Sequence, residues 1–205
     1  MKKLCTILVG ILIISFVGAQ EQKESEFKAY FNEDNNRLFV NKEQGVYFWI
    51  STSPDEDAKK YRLLSDSSKK YTNPMYFDTE GYNTVRSPSA VDTTTKRTIY
   101  PLQDIVFKVY ADGIPPVSAL KIVSPKARYS KGKPYYEGDV TISISVRDAV
   151  SGNDKTFISI DDEPFKEYLK EFTLKGSTGE LKIKYYSVDK VGNTEEAKTE
   201  VITIK

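Results

Sequence analysis

Between Val140 and Arg147 the side chains alternate without a break. Val140, Ile142, Ile144 and Val146 take one parity, and Thr141, Ser143, Ser145 and Arg147 take the other. Successive side chains of a strand point to opposite faces, so this run specifies a strand with one face on a core and one in water. Leu181, Ile183 and Tyr185 alternate with Glu180, Lys182 and Lys184 in the same way. Ile158/Ile160, Phe172/Leu174 and Ile202/Ile204 are shorter versions. Between these runs stand turn-forming residues: Gly138-Asp139, Ser151-Gly152-Asn153-Asp154, Asp161-Asp162, Gly176-Ser177 and Gly192-Asn193. Short strands at that spacing predict an all-β sandwich. Helical character is confined to Asp55 to Leu64, where Pro54 and the flanking strands limit it to one or two turns.

The N-terminus carries a different signal. Lys2 and Lys3 precede an apolar or small run from Leu4 to Val17, and Val17-Gly18-Ala19 places small residues before a cut. The run is shorter than the ~20 residues a membrane-spanning helix needs. Residues 1–19 are therefore expected to be a cleaved signal peptide, with no transmembrane segment after its removal. Residues 20–27 are polar and charged and read as a flexible tail. The chain is expected to be exported to the periplasm, the cell surface or the medium. Cleavage after Ala19 removes two lysines and no acid, taking the net charge from +1 to −1. A balance so close to zero, without a basic stripe, argues against nucleic acid as a partner. It also removes Cys5, the only cysteine, so the mature domains fold without disulfides. Aromatics supply core area instead, with 14 Tyr, 10 Phe and 1 Trp.

The strand pattern breaks at Asp112-Gly113-Ile114-Pro115-Pro116. Two prolines lack amide donors and cannot sit inside a central strand. The expected organisation is a diverged sandwich at 28–112, a Pro-rich linker at 113–116 and a second sandwich at 117–205. The halves read as diverged copies at an offset of about 94 to 98 residues. Val46 to Ser51 lines up with Val140 to Ser145, and Leu63 to Asp66 with Ile158 to Asp161. Tyr71 to Phe77 lines up with Tyr168 to Leu174, and Gly81 to Asp92 with Gly179 to Asp189. A period this long means tandem domains rather than a solenoid.

Several stretches of the second half carry a family likeness. They are Pro115-Pro116, Tyr135-Tyr136-Glu137-Gly138-Asp139 and Val146-Arg147-Asp148-Ala149-Val150-Ser151-Gly152. Ile158-Ser159-Ile160-Asp161-Asp162 and Tyr168 follow, then Tyr185-Tyr186-Ser187-Val188-Asp189-Lys190-Val191-Gly192-Asn193. With these, residues 115–204 resemble the bacterial immunoglobulin-like repeats of spirochaete outer-membrane surface proteins and exported multidomain glycosidases. Residues 37–112 resemble them loosely: Pro54 stands near the position aligned with Asp148, and Thr93-Thr94-Thr95 replaces Lys190-Val191-Gly192. The resemblance implies two tandem immunoglobulin-like β-sandwiches and a non-catalytic surface or spacer role.

The residue inventory agrees with a non-enzyme. There is no histidine, and cleavage leaves no cysteine, which excludes Ser/His/Asp and Cys/His nucleophilic systems and the usual zinc sites. No Gly-rich phosphate loop follows a strand, and no carboxylate pair stands on an apolar stretch that would raise a pKa, as glycoside hydrolysis requires. Asp148 and Asp189 each end an alternating run and open a Gly-containing loop. In an immunoglobulin-like sandwich these would be the second and sixth strands, whose following loops share one end. One reading is a calcium site, with Ser151 or Asn193 adding oxygens. The preferred reading is two Asx-turns, in which each carboxylate accepts amides of its own loop, Ser151-Gly152 and Val191-Gly192. No cofactor is therefore expected, with calcium as the alternative. Trp49, inside Tyr47-Phe48-Trp49-Ile50, reads as core. Tyr135 and Tyr136, beside a Lys131-Gly132 hairpin, form a candidate contact surface, and Thr194 to Lys198 reads as a solvated face. The expected function is a binding or spacer module making protein or glycan contacts at the bacterial cell envelope. The alternative is an accessory subunit of a surface complex that works through an exposed sheet edge.

Overall fold

The computed structural model describes residues 28–46, 49–51, 55–58, 60–62, 76–87, 90–91, 98–99 and 105–205. The expected signal peptide, residues 1–19, the tail at 20–27, Pro54 and Thr93 to Thr95 lie outside them, as does the side chain of Trp49. Among the described residues every regular element is a strand, and no helix is long and apolar enough to cross a membrane. At Asp55 to Ala58, where helical character is expected, there is a single turn in which Ala58 N donates to Asp55 O at 3.1 Å. The chain divides into two units between Ala111 and Asp112. Pro116, within the expected linker, is fully buried.

The first unit contains β1 (Ala29–Asn32), β2 (Arg37–Asn41), β3 (Trp49–Ser51), β4 (Lys60–Arg62), β5 (Gly81–Ser87), β6 (Ala90–Val91), β7 (Thr98–Ile99) and β8 (Ile105–Asp112), the last ending on the first residue of the second unit. Its main sheet has the order β1-β2-β8-β5, with β3-β4 and β6-β7 as separate pairs. Alternation sorts this sheet into two faces. Val40, Val85, Val109 and Ala111 lie on one, packed with Val46 and Phe77 in a buried cluster. Tyr30, Phe39, Tyr82 and Tyr110 lie on the other.

The second unit contains β9 (Val117–Ser124), β10 (Arg128–Ser130), β11 (Lys133–Tyr135), β12 (Val140–Arg147), β13 (Asn153–Ile160), β14 (Lys166–Glu167), β15 (Phe172–Leu174), β16 (Gly179–Asp189) and β17 (Lys198–Ile204). β10 and β11 form the hairpin predicted at Lys131-Gly132, with both turn residues at positive φ. The other seven strands form two sheets, β15-β12-β9 and β14-β13-β16-β17. This is a seven-strand immunoglobulin-like β-sandwich. Counted without the hairpin, β12 is the second strand and β16 the sixth. The predicted alternation sets the core. Val140, Ile142 and Ile144 of β12 are buried against Ile158, Ile183, Tyr185, Ile202 and Ile204 from the facing sheet. Ile142, Ile183 and Ile204 are among the largest fully buried side chains, each contributing ~1.5–3 kcal/mol by leaving water.

Gly81 and Gly179, aligned by the internal repeat, open β5 and β16, and both have positive φ, 80° and 99°. Each of these strands pairs antiparallel with the last strand of its series, β8 and β17. The sheets then differ: β8 is an interior strand of its sheet, whereas β17 is an edge.

Candidate functional site

The loops after β12 and β16 are built alike. Asp148 Oδ1 accepts Val150 N at 3.0 Å and Gly152 N at 2.6 Å. Asp189 Oδ1 accepts Val191 N at 2.9 Å and Asn193 N at 2.8 Å. In both, one oxygen gathers the amides two and four residues on, so each carboxylate closes its own loop. The acceptors are those expected, but two donors differ. Val150 replaces Ser151 in the first loop, and Asn193 replaces Gly192 in the second. Gly192 N instead donates to Asp189 O at 3.2 Å.

A third carboxylate joins them. Asp112 Oδ1 accepts Ile114 N at 3.2 Å, again two residues on. Four residues on stands Pro116, which has no amide hydrogen, and Asp112 Oδ2 accepts Ser151 N from the Asp148 loop at 2.9 Å. One oxygen each of Asp112, Asp148 and Asp189 lie within 4.8 Å of one another. Asp112 and Asp189 are fully buried, and Asp148 is half-buried. The loops are tied together further by Lys190 N donating to Gly152 O at 3.0 Å. Asn193, weighed as an oxygen ligand, presents its amide nitrogen: Nδ2 donates to Asp189 Oδ2 at 2.7 Å and to Asp112 O at 3.0 Å.

Seven N–H groups thus stabilise three carboxylates, and all are neutral. No lysine or arginine pairs with any of the three among the described residues. Two like charges 4.8 Å apart repel by ~3.5 kcal/mol at an effective dielectric constant of about 20. Burial pushes the Asp189 carboxyl above the usual carboxylate range. Its neighbour Asp112 adds to that rise, while the bonds from Asn193 and Val191 oppose it.

The surroundings also hold buried oxygens with no hydrogen-bond partner: Asp148 Oδ2, Ser151 Oγ and Asn153 Oδ1. Ser151 is 5% exposed. Asn153 faces Asp189 across the β13–β16 ladder, beside a bulge. Sequence reading found Asp148 and Asp189 and missed Asp112. The signal for it was the shared spacing, an aspartate with Val or Ile two residues on, which recurs at Asp112-Gly113-Ile114.

Tyr135 and Tyr136 are both half-buried. The Lys205 ammonium lies 4.1 Å from the centre of the Tyr135 ring. Tyr136 packs against the core, and its backbone exchanges bonds with β17 and its end, Tyr136 N to Thr203 O at 2.9 Å and Lys205 N to Tyr136 O at 2.8 Å. Burial raises its phenol above the usual pKa, with smaller additions from Tyr129 and Glu200. In Thr194 to Lys198, Thr194, Glu196 and Ala197 are exposed as expected of a solvated face, and Glu195 is the exception: its side chain is 7% exposed, accepts Ser118 N at 3.1 Å and pairs with Lys198 at 2.9 Å.

The first unit carries a second feature. Tyr30, Phe39, Tyr110 and Tyr82 form a continuous aromatic row across the strand order β1-β2-β8-β5, with ring centroids 5.8, 5.3 and 5.7 Å apart. The Arg37 guanidinium lies 4.8 Å from the centre of the Tyr110 ring, and the Lys108 ammonium 5.7 Å from that of Tyr82. Tyr82 is 50% exposed.

No protein-family model matches the chain, and no curated protein matches it. Among solved structures it is similar to the fibronectin(III)-like modules of Clostridium thermocellum CbhA. The identity is 15% and the TM-score 0.36, over 82% of this chain and 88% of that one.

Proposed function

We propose that this chain is a non-catalytic extracytoplasmic binding module that makes protein or glycan contacts at the bacterial cell envelope. The observation that carries this reading is the aromatic row on the second face of β1-β2-β8-β5, in which Tyr82 is exposed, Tyr30 and Tyr110 are half-buried and Phe39 is buried between them. Its rings are flanked by two cations, and its opposite face already has a core of its own. Tyrosine and arginine are the residues that dominate contact surfaces, because they present a large rigid area with a polar tip. The expected signal peptide and the resemblance of residues 115–204 to spirochaete surface repeats support the extracytoplasmic address.

The alternative, recruitment of a partner strand to a free sheet edge, has less support. β9 is an edge strand with Val117 61% and Val123 49% exposed. Three backbone groups near its start are nevertheless engaged by side chains. Ser118 N is bound by Glu195, Ser118 O by Lys198 Nζ and Leu120 N by the Tyr185 hydroxyl. The far end of β17 is bonded to Tyr136. Edges blocked in this way resist strand addition.

The test is a glycan array together with a pull-down from the parent envelope, using the wild type and Tyr82→Ala. Tyr82→Ala should weaken the contact at least several-fold while costing the fold no more than the one ring pair it breaks with Tyr110, ~0.5–1.5 kcal/mol. A contact that persists unchanged in Tyr82→Ala contradicts the aromatic surface. N-terminal sequencing of the exported protein should begin at Gln20, and a product retaining Leu4 to Phe16 contradicts the address.

A further inference from the structure

We propose that Asp112, Asp148 and Asp189 bind calcium in the second unit, with Ser151 and Asn153 supplying neutral oxygens. The donor set is entirely oxygen, which suits a hard cation and not zinc or copper. Calcium–oxygen bonds of ~2.3–2.6 Å place opposite ligands roughly 4.6–5.2 Å apart. The three carboxylate oxygens, within 4.8 Å of one another, fit one such shell. Magnesium, with bonds of ~2.0–2.1 Å and strict octahedral geometry, would require the cluster to contract.

Three carboxylates alone would not make a site, since buried acids also serve as turn caps. The remaining oxygens distinguish the two roles. An Asx-turn uses Asp148 Oδ1 and leaves no task for Oδ2, which is buried and unpartnered. The Ser151 residue gives its amide to Asp112 Oδ2, yet its hydroxyl is buried without a partner. Asn153 Oδ1, on the residue cross-paired with Asp189, is in the same condition. Of the four buried side-chain atoms without a partner among the described residues, three belong to this neighbourhood. Buried polar atoms ordinarily find partners, and one divalent cation would satisfy all three while neutralising the repulsion among the carboxylates. The turns and the ion are compatible: Asp148 Oδ2 is left free by its turn, and the Asp112 and Asp189 carboxylates, already accepting N–H groups, each keep a lone pair for a cation.

The experiment is calcium titration of the full chain after stripping with EDTA, followed by calorimetry and thermal melting. Wild type should bind one calcium per chain, and its melting temperature should rise by several degrees in millimolar calcium, as mass action requires for a ligand of the folded state. Millimolar magnesium should give a clearly smaller rise. Ser151→Ala deletes a hydroxyl with no protein partner. It should melt with wild type in EDTA and bind calcium roughly ten-fold more weakly. Asp148→Asn, which keeps an Oδ1 acceptor for Val150 and Gly152, should lose the calcium-induced rise. The proposal is overturned if calcium leaves the wild-type melt where EDTA puts it. It is also overturned if both variants bind calcium like wild type, which places the ion elsewhere, or if magnesium matches calcium at equal concentration.

Discussion

Tyr185→Phe deletes a single atom that the structure gives two tasks. The ring is 2% exposed on β16, inside the sandwich core. Its hydroxyl donates to Glu200 Oε1 at 2.7 Å and accepts Leu120 N, on an edge strand of the facing sheet, at 3.3 Å. Phenylalanine keeps the ring, so no cavity opens and the loss is polar. An amide left without its acceptor costs ~1–3 kcal/mol, at the low end here because the bond is long. Half-exposed Glu200 recovers part of its loss from water. The net is about 1–2 kcal/mol, and a domain of 60–100 residues shifts its melting temperature by ~4–8 °C per kcal/mol. Melting of the second unit should therefore fall by roughly 5–15 °C at pH 8. The same geometry predicts a titration. Burial, with the bond to Glu200, raises the Tyr185 pKa to about 12. A raised pKa means that the folded state holds the proton more tightly, so this stabilisation is complete below the unfolded value near 10 and disappears as pH rises to about 12. The wild-type-minus-variant difference in phenolate absorbance should have its midpoint near pH 12. A variant melting within a degree of wild type, or a difference titration centred near pH 10, would refute the reasoning.

Glu195→Ala should free Ser118 N and unpair Lys198, lowering stability by ~1–3 kcal/mol and uncovering the β9 edge. Size-exclusion chromatography should then show self-association that wild type lacks, and a monomeric variant would contradict the role given to this side chain. Residues 112–205 alone should unfold in one cooperative transition by circular dichroism, whereas a fragment starting at Val117 should be measurably less stable, because it lacks Asp112. Equal stability of the two fragments would show that Asp112 does not belong to the second unit.

Most of the second sandwich was legible because its cause is local. Alternation at Val140, Ile142 and Ile144 is a period-two pattern, and burial followed it strand by strand. Glycines at turns announced themselves in the same way, as with Gly132 and Gly176 at positive φ. The Asp148 and Asp189 loops were legible as turns since an aspartate and the amides it gathers are neighbours in sequence. Their convergence was foreseeable only through the order of strands, and the third member was not foreseeable by proximity. Ser151 meets Asp112 across 39 residues, and Asp112 sits beside two prolines, where the chain reads as a linker. The Asp112 backbone instead docks through Asn193, 81 residues away. Glu195, within the otherwise exposed Thr194 to Lys198 run, departs for a related reason: a charged run reads as solvated until a distant edge amide, here that of Ser118, takes one of its carboxylates.

The central structural claim is that three clustered carboxylates organise one end of the second sandwich, and amide hydrogen exchange tests it most directly. The amides of Ile114, Val150, Ser151, Gly152, Val191 and Asn193 all donate to these carboxylates. Residue-resolved exchange in solution should show all six protected to a degree approaching the amides of β12 and β16, although all lie in loops. Exchange at the rate of exposed loop amides, for the six together, would contradict the account.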